Sequence, residues 1–140
     1  MPYLRRDEVL PGDAVVIRGG ILAETPEDIR VQAEGEYLRL EQDGDPEPVY
    51  GLSVWSLPAM SAEEVAQAVG TDDLPHKRMR ATTVGALATR GYEVVPSGPP
   101  SHATIVFPGP PTYDDWQNLQ QSFGDPIDNP VARARKHRSS

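Results

Sequence analysis

The sequence predicts a single small α+β domain: a mainly antiparallel mixed sheet carrying about three short helices. Three observations lead there. Apolar runs at 14–18, 49–56, 92–95 and 102–107 have the length and, in places, the two-residue period of strands. Helix signals fall in short capped stretches between them, in the order strands, helix, helix, strand, strand, helix, which suits antiparallel pairing better than repeated βαβ units. The 12 glycines and 15 prolines in 140 residues favour many turns over long elements.

In chain order, Pro11-Gly12-Asp13 is a turn, and Ala14-Val15-Val16-Ile17-Arg18 reads as a buried strand ending at Gly19-Gly20. Residues 24–36 are acidic, and the alternation of Ile29 and Val31 predicts a short edge strand. Leu38 and Leu40 share one face of a half-exposed strand over 37–41. Asp43 to Pro48 is a loop, and Val49 to Ser56 a strand. Ser61 with Glu64 forms a capping box, Met60 and Val65 fit a hydrophobic staple, and Gly70 provides a left-handed stop, so a helix spans 61–69. A second helix runs from Thr83 to Arg90 and stops at Gly91. Tyr92–Val95 is a strand, 96–101 a proline-stiffened loop and His102–Phe107 a strand. Thr112 with Asp115 caps a third helix that places Trp116, Leu119 and Phe123 inward and ends at Gly124. The domain is expected over 1–128, with 129–140 a basic, disordered tail.

Composition narrows the function. Without cysteine, thiolate catalysis, disulfides and cysteine-held metals are excluded. No histidine pair stands at ligand spacing, so neither metal nor cofactor is expected. No apolar run reaches membrane-helix length, and Met1–Glu8 has no signal-peptide core, which favours the cytoplasm. Two lysines and two asparagines in a chain rich in Ala, Pro, Gly, Arg and Asp are what a GC-rich bacterial genome encodes. The formal charge is -8: residues 1–50 hold 12 acids and 5 bases, whereas 131–140 hold 4 bases and no acid. An acidic body repels nucleic acid, so such contact is expected only through the tail or residues 76–80.

Four clusters carry side chains suited to chemistry. Arg18-Gly19-Gly20 can grip an anion, the arginine bidentately and the glycines by exposing backbone amides, or it is a strand end and a turn. It has neither the P-loop nor the dinucleotide spacing. Ser53, Trp55 and Ser56 can wall a cleft in which Trp55 stacks on a flat ring; alternatively Trp55 fills a core gap. His102 and Thr104 share one strand face, and histidine is the side chain best placed to exchange a proton near neutral pH. A two-histidine phosphoesterase would need a second His-x-Ser/Thr, which the chain lacks. Finally, Pro75-His76-Lys77-Arg78-Met79-Arg80 is the basic patch of the body, serving either a phosphate contact or a solvated linker between helices.

Arg18, Ser53 (or Ser56) and Glu93 follow one another in an order that resembles the Arg–Ser–Glu ADP-ribosyltransferases, although the family's serine–threonine–serine run and paired glutamates are missing. The resemblance covers three residues. It implies that Arg18 binds the phosphates of NAD, Ser53 supports the site and Glu93 orients the ribose.

Two functions follow. The first is a noncatalytic interaction module, such as an immunity, antitoxin or accessory protein, whose acidic surface binds a basic partner. The second is a small toxin-like enzyme acting on a nucleotide or RNA, ADP-ribosyltransferase-like or RNase-like, with Arg18, Ser53 and His102 catalytic and Gly19, Gly20, Trp55, Thr104 and Glu93 binding the ligand. The enzyme reading requires Arg18, Ser53 and His102 to meet around one hollow.

Overall fold

Among the described residues six strands build one sheet: β1 (Val15–Gly19), β2 (Tyr50–Leu57), β3 (Arg78–Thr83), β4 (Glu93–Pro96), β5 (His102–Phe107) and β6 (Ile127–Asp128). Their order is β4-β5-β2-β1-β3-β6, and every pairing is antiparallel. Four helices join them: α1 (Pro26–Gln42), α2 (Ala62–Val69), α3 (Val84–Thr89) and α4 (Tyr113–Ser122). The computed structural model describes residues 3–19 and 24–131 of this α+β domain. Residues 132–140, which include most of the expected basic tail, lie outside the described residues. Asn129, assigned to that tail from the sequence, is fully buried and donates from Nδ2 to the carbonyls of Leu74 and His76. No helix among the described residues is long and apolar enough to cross a membrane.

Alternation along the strands separates the core. Val16, Leu52, Val54, Val94, Ala103, Ile105 and Phe107 enter the larger cluster with Leu87 of α3, Leu119 of α4 and Ile29 and Ala33 of α1. The intervening positions Ile17, Trp55 and Met79 pack with Val65 and Ala66 of α2 and with Leu74. A third cluster joins Val95 and Val106 to Leu4, Leu40 and Tyr3, after Leu4 bridges to Ser97 beside the β4 edge. Trp116 Nε1 donates to the Glu24 carbonyl at 2.8 Å and ties the start of α1 to α4.

Two sequence expectations fail for physical reasons. The strands expected within 24–36 and at 37–41 are one helix, α1. Thr25 and Asp28 form a reciprocal capping box, and Pro26 opens the first turn with its fixed φ, where its missing N–H costs nothing. Arg30 pairs with Glu27 and Glu34, and Arg39 with Glu36 and Asp43, at helical i,i+3 and i,i+4 spacing. Ile29 and Leu40 point inward, whereas Val31 and Leu38 point out. The described residues therefore hold four helices.

The second half of the basic stretch 75–80, expected as a linker, opens strand β3, with Met79 and Arg80 buried. Arg80 lies under the C-terminal end of α4, where its Nε donates to the Gly124 carbonyl at 2.6 Å and its NH2 to the carbonyls of Gln120 and Phe123 at 2.8 Å each. A cation thus meets the orphan carbonyls and the negative pole of a helix. The expected glycine stop of α4 is not used: Phe123 caps it in extended conformation, and Gly124 N–H bonds to Ala81. The caps expected at Ser61 and Thr112 are present, Thr83 caps the second of the expected helices instead of lying within it, and Gly70 and Gly91 adopt φ of 84° and 91°.

Candidate functional site

The β2–β5 ladder sets Ser53 opposite Thr104 and Trp55 opposite His102, so these four side chains share one face. His102 is buried, with the Trp55 ring meeting it edge-on at 4.8 Å between centroids. Its Nδ1 lies 2.9 Å from Ser97 Oγ and 3.1 Å from the Ser97 carbonyl. A carbonyl only accepts, which favours a proton on Nδ1 and leaves Nε2 with the lone pair. Ser97 Oγ also lies 2.8 Å from Thr104 Oγ1, while Tyr3 closes the cluster with its hydroxyl 3.5 Å from Nδ1. Burial pulls the His102 pKa below its ordinary value, against an opposing push from the Ser97 carbonyl. The imidazole is therefore held neutral.

His102 also helps line a hollow of about 350 Å³ with Arg5, Leu57, Pro96, Pro100 and Ser101. Ser101, at the turn into β5, has φ of 73°, in the left-handed region that a serine seldom occupies. Its carbonyl accepts from Ser56 N–H at 2.8 Å, which helps hold that conformation. Arg5 is tied to Glu8 at 2.6 Å and to the Gly98 carbonyl.

Arg18 is engaged in a different setting. Its NH2 pairs with Glu24 at 2.7 Å and reaches Gln32 Oε1 at 3.0 Å, and its NH1 donates to the Ser53 carbonyl at 2.7 Å. Its Nε is buried without a partner. Arg18 and Ser53 are thus neighbours through the main chain of Ser53, whose side chain is exposed. Neither residue lines the hollow beside His102. By alternation Arg18 shares the face of Val16, whereas His102 shares that of Trp55 and Ile17.

The remaining residues of the set are dispersed. Gly19 serves packing, because any β-carbon there would collide with His76 and Leu74. Gly20 lies outside the described residues. Glu93 is exposed on β4, which β5 and β2 separate from β1, an offset of about 14 Å at the usual strand spacing. Register puts Glu93 on the face of Val106 and Gly51, opposite that of Arg18. The Arg18, Ser53, Glu93 order is present in sequence, but these positions form no common cleft.

Sequence reasoning missed Tyr3 and Ser97, and it placed Arg80 in a basic patch without foreseeing its burial under α4. Tyr3 carries no local signal, since it meets His102 only after the N-terminal segment docks beside β4, whereas Ser97 lies five residues before His102 and faces it across the β4–β5 turn. It also missed where the acidity gathers. Residues 24–47, which are α1 with its flanks, hold 9 acids and 2 bases, a net -7 within a chain of -8. Four of these carboxylates pair with the two arginines of α1, and Glu24 and Asp45 pair with Arg18 and Arg6. Glu27, Asp28, Glu41, Asp43 and Glu47 are exposed.

No protein-family model, curated protein or solved structure matches the chain.

Proposed function

We propose that this protein is a noncatalytic interaction module that binds a basic protein partner through the acidic surface built around α1. In the cytoplasm of a bacterium it would serve as an immunity, antitoxin or accessory protein. The observation that carries the reading is the concentration of charge: net -7 on residues 24–47. Such a localised field steers a basic partner to one face, raises the association rate and suppresses wrong encounters. The state of the chemistry-bearing groups supports it. Arg18 is committed to Glu24, Gln32 and a carbonyl, and the Nδ1 of His102 to Ser97.

The test is co-expression with the products of adjacent genes, followed by binding kinetics on any complex recovered. The expected complex forms with a basic protein, and its association rate falls steeply as salt rises through the range where the Debye length shrinks below about 10 Å. Neutralising Glu27, Glu34, Glu41 and Glu47 to glutamine slows association. A complex indifferent to both salt and neutralisation overturns the reading.

One observation favours a second reading, that of a small toxin-like enzyme acting on a nucleotide or RNA. A neutral His102 at the wall of a hollow, beside a serine in left-handed conformation, is an arrangement found where strain is held for function. Growth arrest on expression, relieved by His102→Ala in a chain that still folds, would select this reading over the first.

A further inference from the structure

We infer that the ridge Val31–Gly35–Leu38 on the outer side of α1 is the seat of a basic amphipathic helix belonging to the partner. The inference rests on the interaction reading above and names the contact surface and the partner's chemistry.

Buried residues of α1 are Ile29, Ala33 and Leu40. At 100° per residue, Val31 and Leu38 fall within about 20° of each other and on the opposite side of the helix from that buried set. They are 56% and 53% exposed, far more than the inward apolar residues of the same helix. Single exposed apolar side chains are ordinary, but two on one line, two turns apart, form a seam. Gly35 lies between them, and a β-carbon there would meet nothing within 4 Å. That gap admits a bulky side chain from a second helix close to the α1 backbone. α1 thus has an apolar stripe on each side, one against the sheet and one facing out, as a helix between two partners has.

Charge selects the occupant. Glu27 heads the ridge, Glu34 and Glu41 flank it on one side and Asp28 on the other. The bases of α1 are neutralised within it: Arg30 by Glu27 and Glu34, Arg39 by Glu36 and Asp43. An apolar seam in that field fits a helix with aliphatic residues on one face and Lys or Arg beside them. The stretch from Glu27 to Gln42 spans roughly 22 Å at 1.5 Å per residue, about four turns.

The experiment uses the full chain and two synthetic probes of equal charge: a leucine–lysine peptide of helical period and an oligolysine. Binding is read by fluorescence anisotropy, with circular dichroism confirming that each variant folds. The amphipathic peptide is expected to bind about tenfold tighter than the oligolysine. Val31→Ser with Leu38→Ser, and separately Gly35→Gln, should remove that advantage while leaving oligolysine binding as it was. Equal affinities for the two probes, both lost in the charge-neutralised variant, would overturn the ridge and leave the acidic-surface reading standing. Binding of neither probe would overturn both. A dimer in sedimentation that Leu38→Ser dissolves would show a second copy on the ridge and overturn the partner helix.

Discussion

The β2–β5 ladder and helix α1 treat polar and apolar groups in opposite ways. Around His102 the ladder takes polar groups inward and satisfies them on one another: Ser97 is fully buried yet bonded to both His102 and Thr104, and all three lie in one network. Along α1 the polar groups stay at the surface in excess, and two aliphatic side chains are left facing out. A buried polar network that satisfies itself specifies a fold and has little capacity to spare for a ligand. A surface with surplus charge and uncovered apolar area contributes little to folding and has that capacity. The difference locates stability in the first region and recognition in the second, and substitutions can separate the two.

The largest effect is expected at Arg80, the extreme case of inward satisfaction. The residue is 8% exposed, and its guanidinium bonds three main-chain carbonyls at the end of α4 together with Gln120 Oε1. Arg80→Ala leaves those carbonyls without their donor, and the loss expected is about 3–5 kcal/mol, since each buried acceptor left unsatisfied costs about 1–3 kcal/mol and water reaches only some of them. Urea unfolding of the two proteins measures it. A loss below about 1 kcal/mol would mean that water replaces the arginine freely and that the contact is not a structural one.

A smaller loss is expected at Gly19. Its α-hydrogen faces His76 and Leu74, which lie where a β-carbon would need to be. Gly19→Ala should cost about 1–3 kcal/mol through overpacking, with urea melts as the measure. An unchanged midpoint would show that His76 swings aside and would return Gly19 to the list of anion-binding candidates.

How far the sequence carried these features depends on whether their causes are local. Ser61 with Glu64 and Thr112 with Asp115 are three residues apart and announce their helices. His102 and Thr104 are two apart on β5, so their common face was readable. α1 was misread because its outward apolar positions mimic a strand: Ile29 with Val31, and Leu38 with Leu40, alternate as strand residues do, although one of each pair faces solvent. The feature that hid the helix is the ridge now assigned to a partner. β3 was misread because a run containing Lys77, Arg78 and Arg80 suggests solvent exposure. Burial of Arg80 is tolerable only because residues 120–124 supply carbonyls, and nothing near Arg80 in the chain foretells that. Tyr3 is invisible for the same reason, whereas Ser97 is near His102 in the chain and is missed because the 96–101 stretch reads only as a loop.

The His102 network also predicts a pH dependence. Burial lowers the folded-state pKa of His102 beneath the unfolded value near 6.5, so in the window between the two the unfolded chain binds more protons than the folded one. Stability should therefore fall as pH drops below about 6.5 and level off once the folded imidazole itself protonates. Carboxylates titrate in the lower part of that range, so the quantity to measure is the difference between the protein and His102→Gln in urea unfolding at a series of pH values. The variant should lack the part of the slope that begins below about 6.5. Parallel curves would mean that His102 is as well solvated folded as unfolded, contrary to its place under Tyr3 and Trp55.

The smallest effect belongs to the ridge, and its smallness is the point. Val31 and Leu38 already stand more than half exposed, so replacing them removes little area that folding had taken from water. Leu38→Ser should change the unfolding free energy by less than about 0.5 kcal/mol, the range of surface substitutions away from special features. Gly35→Gln should be neutral or slightly stabilising, because glutamine is the better helix former and open space awaits its side chain. A loss of 1 kcal/mol or more at Leu38, read from urea midpoints at constant m-value, would show that the side chain packs within its own domain. The contrast between an inward-satisfied ladder and an outward-offering helix would then fail at α1, where the recognition argument begins.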